Sequence, residues 1–126
     1  MGKANNIIRI PTSIDGKFFR YWFEFLKPLH PFTDKEIEVI SCYLKYRYDL
    51  CKVIKDEDIL NKVLMSTETK NKIREECGMS VQHFQSILGK LKRGKVIIDN
   101  KINPRFIPNV TADKGAFNLL IYFDLQ

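Results

Sequence analysis

From Cys77 to Ile98 the chain contains no acidic residue, yet Lys90, Lys92, Arg93 and Lys95 all fall in that window. Lys101 follows just beyond Asp99. Clustered cations that no local acid cancels attract a polyanion. Upstream in the same window stand Val81, Gln82, His83, Gln85 and Ser86. Four of these carry hydrogen-bonding groups and one offers methyls, so the chemistry on offer is non-covalent recognition. The formal charge is +6, and residues 67–108 supply most of it, with nine basic and four acidic side chains. Residues 33–66 hold six basic and seven acidic side chains and are close to neutral. A solvated lysine-rich surface would carry the same charge, so the elements that position these residues decide between the two readings.

Bond-making chemistry has little to work with. The chain has no GxGxxG, P-loop, GxSxG or HExxH pattern. Acids cluster only at Asp56-Glu57-Asp58, where a helix start accounts for them through capping and the dipole. No enzymatic activity is expected, and no catalytic residue is assigned. Cys42, Cys51 and Cys77 are odd in number and form no CxxC pair, and the two histidines are His30 and His83. That set lacks the local pairing of a zinc site, so no metal or cofactor is expected. The cysteines read as buried or half-buried free thiols in a reducing compartment.

At 126 residues, with 44% hydrophobic and 29% charged side chains, the chain suits one globular domain with its own core. Met1 to Ile10 lacks a signal-peptide pattern. The apolar run Leu119–Phe123 is far too short to span a bilayer. The expectation is a soluble, cytoplasmic protein with no membrane partner.

The positioning elements can be read from their ends. Thr33-Asp-Lys-Glu36 is a capping box opening a helix to about Leu50. A shorter helix is predicted over Asp56 to Met65. Ser66 or Thr67 caps the next, which runs to about Cys77 with Ile73 and Cys77 inward. Gly78 suits the left-handed residue that ends a helix, and Met79 fills the inside of the turn. Ser80 then caps a helix through about Arg93, with Phe84, Ile87, Leu88 and Leu91 on one inward stripe. After Arg93-Gly94-Lys95, Val96–Ile98 reads as a strand. Asp99-Asn100 is a two-residue turn, and the return strand starts at Lys101-Ile102-Asn103 and continues toward Phe106-Ile107.

Outside this region, Ile7–Ile10 reads as a strand stopped by Pro11, and Phe117–Leu125 as a strand apolar on both faces. The two are expected to pair in one sheet, covered by an aromatic helix over Lys17–Leu26. That helix is polar only at Arg20, Glu24 and Lys27, so it is either buried on several sides or packed on a partner subunit.

The residues Glu76-Cys-Gly-Met-Ser-Val-Gln-His-Phe-Gln-Ser-Ile resemble the turn and recognition helix of bacterial and phage regulators with a helix-turn-helix. Arg74 departs from that pattern, because a small residue usually stands four positions before the glycine. Gly94 to Phe106 looks like the wing of winged-helix proteins, among them small replication and regulatory proteins of plasmids and phages. The likeness is one of fold and covers roughly Thr33 to Pro108. It implies a mainly α chain with a small β component: a winged-helix core over 33–108, with 1–32 and 109–126 as flanking extensions. The partner it implies is double-stranded DNA, with the second helix of the motif in the major groove. There Val81, Gln82, His83, Gln85 and Ser86 would face base edges, and Lys90, Lys92, Arg93, Lys95 and Lys101 would meet the backbone. A homodimer or higher oligomer through the Phe18–Leu26 helix or the Phe117–Leu125 strand is also expected. The abundance of lysine, isoleucine and asparagine fits an AT-rich bacterial or phage genome. The function implied is transcription or replication regulation. The alternative is a structural, packaging or adaptor component of a phage, since winged helices also serve protein contacts.

Overall fold

Four of the helices begin at a side chain that satisfies an otherwise unpaired amide. In the computed structural model, which describes residues 7–13, 17–110, 117–118, 121–122 and 124–125, helix α1 spans Phe18–Leu26 and α2 spans Asp34–Cys51. Glu57–Leu64 forms α3, Thr67–Glu76 forms α4 and Val81–Arg93 forms α5. The Thr33 hydroxyl accepts from the Glu36 amide at 3.2 Å, and the Glu36 carboxylate accepts from the Thr33 amide at 2.9 Å, completing the expected capping box. Asp56 caps α3, Ser66 (rather than Thr67) caps α4, and Ser80 caps α5. Each such cap is worth about 1 kcal/mol. The described residues are mainly helical, with one small antiparallel sheet of Ile97–Ile98 (β1) and Lys101–Ile102 (β2).

Helix α2 is the central post: α1, α3, α4 and α5 all pack against it. Its buried residues Ile37, Val39, Ile40, Tyr43 and Leu44 are spaced so that they cover a broad face, which lets several helices share one core. From α5, Phe84, Ile87, Leu88 and Leu91 enter that core, and Ile73 and Met79 enter it from α4 and the following turn. Fully burying each such side chain contributes roughly 1.5–3 kcal/mol.

Helix α1 buries Phe19 and Phe23 and half-buries Phe18, Trp22 and Leu26. It is one-sided rather than apolar all round, because Tyr21 and Phe25 turn outward with Arg20 and Glu24 and leave Phe25 47% exposed. The Trp22 indole donates to the Phe106 carbonyl at 2.8 Å, and the Phe117 ring meets Phe18 and Trp22 edge-on.

Among the described residues neither terminal strand is formed. Ile7–Ile10 is irregular and open to solvent, with Ile8 84% exposed. The described residues of Phe117–Leu125 are also irregular, with Tyr122 74% exposed, and the rest of that stretch lies outside the described residues. Among the described residues the hairpin is the one sheet, and neither run pairs with it. β-propensity without a partner strand does not hold a strand. The return strand also ends sooner than expected. Pro104–Phe106 turns into a short 3-10 helix, set up by the Asn103 carboxamide oxygen, which accepts from the Arg105 amide. No helix among the described residues is long and apolar enough to cross a membrane.

Candidate nucleic-acid interface

The turn between α4 and α5 is built from a glycine, a buried methionine and a capping serine. Gly78 takes a positive φ of 63°, the left-handed backbone that other residues enter only at a cost. The Met79 amide donates to the Arg74 carbonyl and the Gly78 amide to the Glu75 carbonyl, a Schellman closure of α4. Arg74 therefore does not disturb the turn. Its guanidinium reaches across and donates to the Met79 carbonyl at 3.0 Å, tying down the stretch of chain that a small residue would merely leave room for.

The end of α5 repeats this closure with a different residue in the strained position. Val96 donates to the Leu91 carbonyl and Lys95 to the Lys92 carbonyl, and Lys95 itself adopts φ 59°. The glycine stands one position earlier, at Gly94, where a Cβ would meet the His30 ring and the Lys90 carbonyl at 3.4 Å. His30 packs on Phe32 and Phe106, so the Pro28–Pro31 segment supports the junction of α5 and the hairpin from beneath. In the hairpin, Ile97 pairs with Ile102 and Ile98 with Lys101. Asp99 and Asn100 both take positive φ, 52° and 58°, as the type I′ geometry requires. The Asn103 side chain donates to the Lys95 carbonyl at 2.9 Å and fastens the base of the hairpin.

All ten candidate residues are exposed to solvent: Val81, Gln82, His83, Gln85, Ser86, Lys90, Lys92, Arg93, Lys95 and Lys101. At about 100° per residue, Gln82, Ser86, Gly89 and Arg93 point away from the buried stripe of α5. Gln85 and Lys92 flank them on one side, and His83 and Lys90 on the other. Lys95 stands at the helix end, and Lys101 stands on β2 beside the tip. Thus the outward face of α5 is uncharged and polar in its first two turns and cationic in its last, and the cations continue onto the hairpin.

The ion pairs among the described residues lie elsewhere on the molecule. They join Lys27 to Glu24 and Asp34, Lys35 to Glu38, Arg47 to Glu57, Lys52 to Asp49 and Lys72 to Glu68. None of these involves α5 or the hairpin. The positions of Lys90, Lys92 and Arg93 in the last turn also suit the negative end of the α5 dipole.

Gly89 belongs to this surface although the charge and hydrogen-bonding patterns do not point to it. It lies mid-helix on the outward line between Ser86 and Arg93, where glycine costs about 1 kcal/mol relative to alanine. The Arg93 guanidinium lies 3.4 Å from where its Cβ would stand, so the Arg93 side chain folds back over the space that a larger residue would fill. A glycine on the polar stripe of an otherwise good helix is the signal that would find it.

Among the described residues no group of three or more His, Cys, Asp or Glu is placed to hold a metal ion. No family model, curated protein or solved structure matches this chain, and its function is therefore read from its own residues.

Proposed function

We propose that this chain is a winged-helix protein that binds double-stranded DNA, with α5 as the recognition helix and the β1–β2 hairpin as the wing, in transcription or replication control. One observation carries the reading: a surface run of cations with no ion pair among the described residues follows the polar outward face of a capped helix and continues onto the hairpin beside it. An α-helix about 10–12 Å across fits a major groove about 12 Å wide. In that pose Gln82 and Gln85 present carboxamides that suit adenine, Val81 offers methyls to thymine, and Lys90, Lys92, Arg93, Lys95 and Lys101 face phosphates. No arginine precedes Arg93 on the helix, so guanine reading is weak and affinity is largely electrostatic. The test is a mobility-shift titration on random duplexes of about 30 base pairs at low and physiological salt. Binding that weakens steeply with salt supports the reading, and absence of binding at low salt overturns it.

Replacing Gln82 and Gln85 by alanine is expected to change preference among sequences by about 1–3 kcal/mol per lost bidentate contact. Affinity for random DNA should change little. Equal losses on every duplex, measured by competition binding, would remove the base-reading role.

Lys95 gives a sharper discrimination. Structure alone favours glycine at φ 59°. The expected result for Lys95→Gly is therefore a rise in stability of up to about 1 kcal/mol, seen as a few degrees in Tm. Duplex affinity should fall several-fold, with a salt slope shallower by about 0.9. Unchanged affinity would show that the lysine side chain contributes nothing to binding.

A second reading, a packaging or adaptor component of a phage, is favoured by the outward apolar surface of α1 and the following turn. There Tyr21 and Phe25 are exposed and Leu29 is 75% exposed. On that reading the cationic face meets an acidic protein instead.

A further inference from the structure

Two of the three cysteines sit on facing elements. Cys42 lies midway along α2, and Cys77 is the C-cap residue of α4, directly before Gly78. The Cys42 thiol donates to the Glu76 carboxylate at 2.7 Å, and the Cys77 thiol reaches the Glu38 carbonyl at 4.0 Å. Glu76 is the neighbour of Cys77 in sequence, and Glu38 lies one helical turn before Cys42. Each thiol therefore contacts a residue close to the other, which sets the two side by side across the α2–α4 contact. Both are partly exposed, so a small reagent can reach them.

We propose that Cys42 and Cys77 are a redox-reversible pair whose disulfide clamps the turn between α4 and α5 onto α2. Cys51 is excluded from the pair, because nine residues of α2 separate it from Cys42, about 13.5 Å along the axis. The ionisation order also suits the exchange. The Cys42 thiol beside it holds Cys77 below its ordinary range, while Cys77, burial and Glu76 push Cys42 far up. Because the Glu76 carboxylate holds the Cys42 proton in a hydrogen bond, Cys77 is the sulfur that opens the exchange.

The oxidant is a small-molecule disulfide such as glutathione disulfide. The Cys77 thiolate attacks one of its sulfurs, forming a mixed disulfide and releasing one glutathione thiolate. Cys42 then loses its proton and attacks the Cys77 sulfur, expelling the second glutathione. Two protein thiols give up two electrons and two protons, and one glutathione disulfide becomes two glutathiones. Disulfides are rare in reducing compartments, and those that do form there are mostly transient.

The proposal does not depend on duplex binding, and its readouts are covalent and thermal. The full chain is equilibrated in glutathione–glutathione disulfide buffers, remaining thiols are alkylated, and the linkages are mapped by mass spectrometry. A Cys42–Cys77 crosslink is expected, with Cys51 alkylated or singly glutathionylated. Tm should rise by roughly 10 °C, since the bond closes a long loop, and dithiothreitol should reverse the rise. Cys51→Ser should keep the rise, and Cys42→Ser or Cys77→Ser should abolish it. Separate glutathione adducts on Cys42 and Cys77 would overturn the proposal, as would an uncrosslinked pair in the most oxidising buffer. The mapping uses the wild-type chain, so its outcome decides the matter even if a serine variant does not fold.

Discussion

Neutralising Lys90, Lys92 and Lys95 together as glutamines is expected to weaken binding to every duplex by on the order of 10²–10³-fold near 0.1 M salt. The slope of log affinity against log salt should fall by almost three, since each lost phosphate contact removes about 0.9. Lys90 and Lys92 occupy the last turn of α5, and Lys95 stands at its end, before the hairpin. With no acid between Glu76 and Asp99, these charges act outward instead of on a neighbouring carboxylate. Some stability will go with them, about 0.3–1 kcal/mol for each last-turn lysine, because the helix dipole loses its counter-charges. That loss is small beside the effect on binding, and the left-handed Lys95 contributes none of it. A control with the same change in net charge separates a local interface from a general attraction. Replacing Lys45, Lys52 and Lys62, on α2, at its C-cap and on α3, should leave the slope close to wild type. Equal slopes in the two triple variants and the wild type would remove α5 from the interface.

The parts of the molecule legible in its sequence are those governed by neighbours in the chain. The capping box at Thr33, the serine caps at Ser66 and Ser80, and the inward stripe of Phe84, Ile87, Leu88 and Leu91 all rest on contacts within one or two turns. The Asp99-Asn100 turn is equally local, because those residues tolerate positive φ better than most. What the sequence left hidden depends on distant partners. Ile7–Ile10 and Phe117–Leu125 have the composition of strands, but whether a partner strand lies beside them is decided by the whole fold. The sidedness of α1 is likewise set by α2, and by Phe106 accepting a hydrogen bond from Trp22 eighty-four residues earlier. Lys95 is an intermediate case: Gly94-Lys95 announces a helix end, yet the left-handed residue is the lysine. The candidate surface was legible because charge and amide-bearing side chains are read directly from residue types. Gly89 escaped because its contribution is the absence of a side chain, visible only once its neighbours on the helix face are known.

Leu91→Ala is expected to have the largest effect on stability, a loss of about 2–5 kcal/mol. Leu91 is fully buried at the last inward position of α5, and its carbonyl accepts the Val96 amide at 2.9 Å in the closure that launches the hairpin. Val96 is buried with it in the same core, which is the apolar contact that accompanies a Schellman end. Truncation therefore opens a cavity and loosens the contact that sets the direction of β1. For a domain with about 5–15 kcal/mol of total stability, Tm should fall by roughly 10–20 °C. Urea unfolding should show a lower midpoint with an unchanged slope if the damage is confined to packing. Arg93→Ala, two residues away on the outward side, should cost under about 0.5 kcal/mol of stability, apart from its share of the dipole interaction. Its cost should appear in duplex affinity. The pair of variants thus separates the two faces of α5, the inner one holding the fold and the outer one free to bind. A stability loss in Arg93→Ala as large as that in Leu91→Ala would mean that the outer face is part of the core, and no surface would remain there for a duplex.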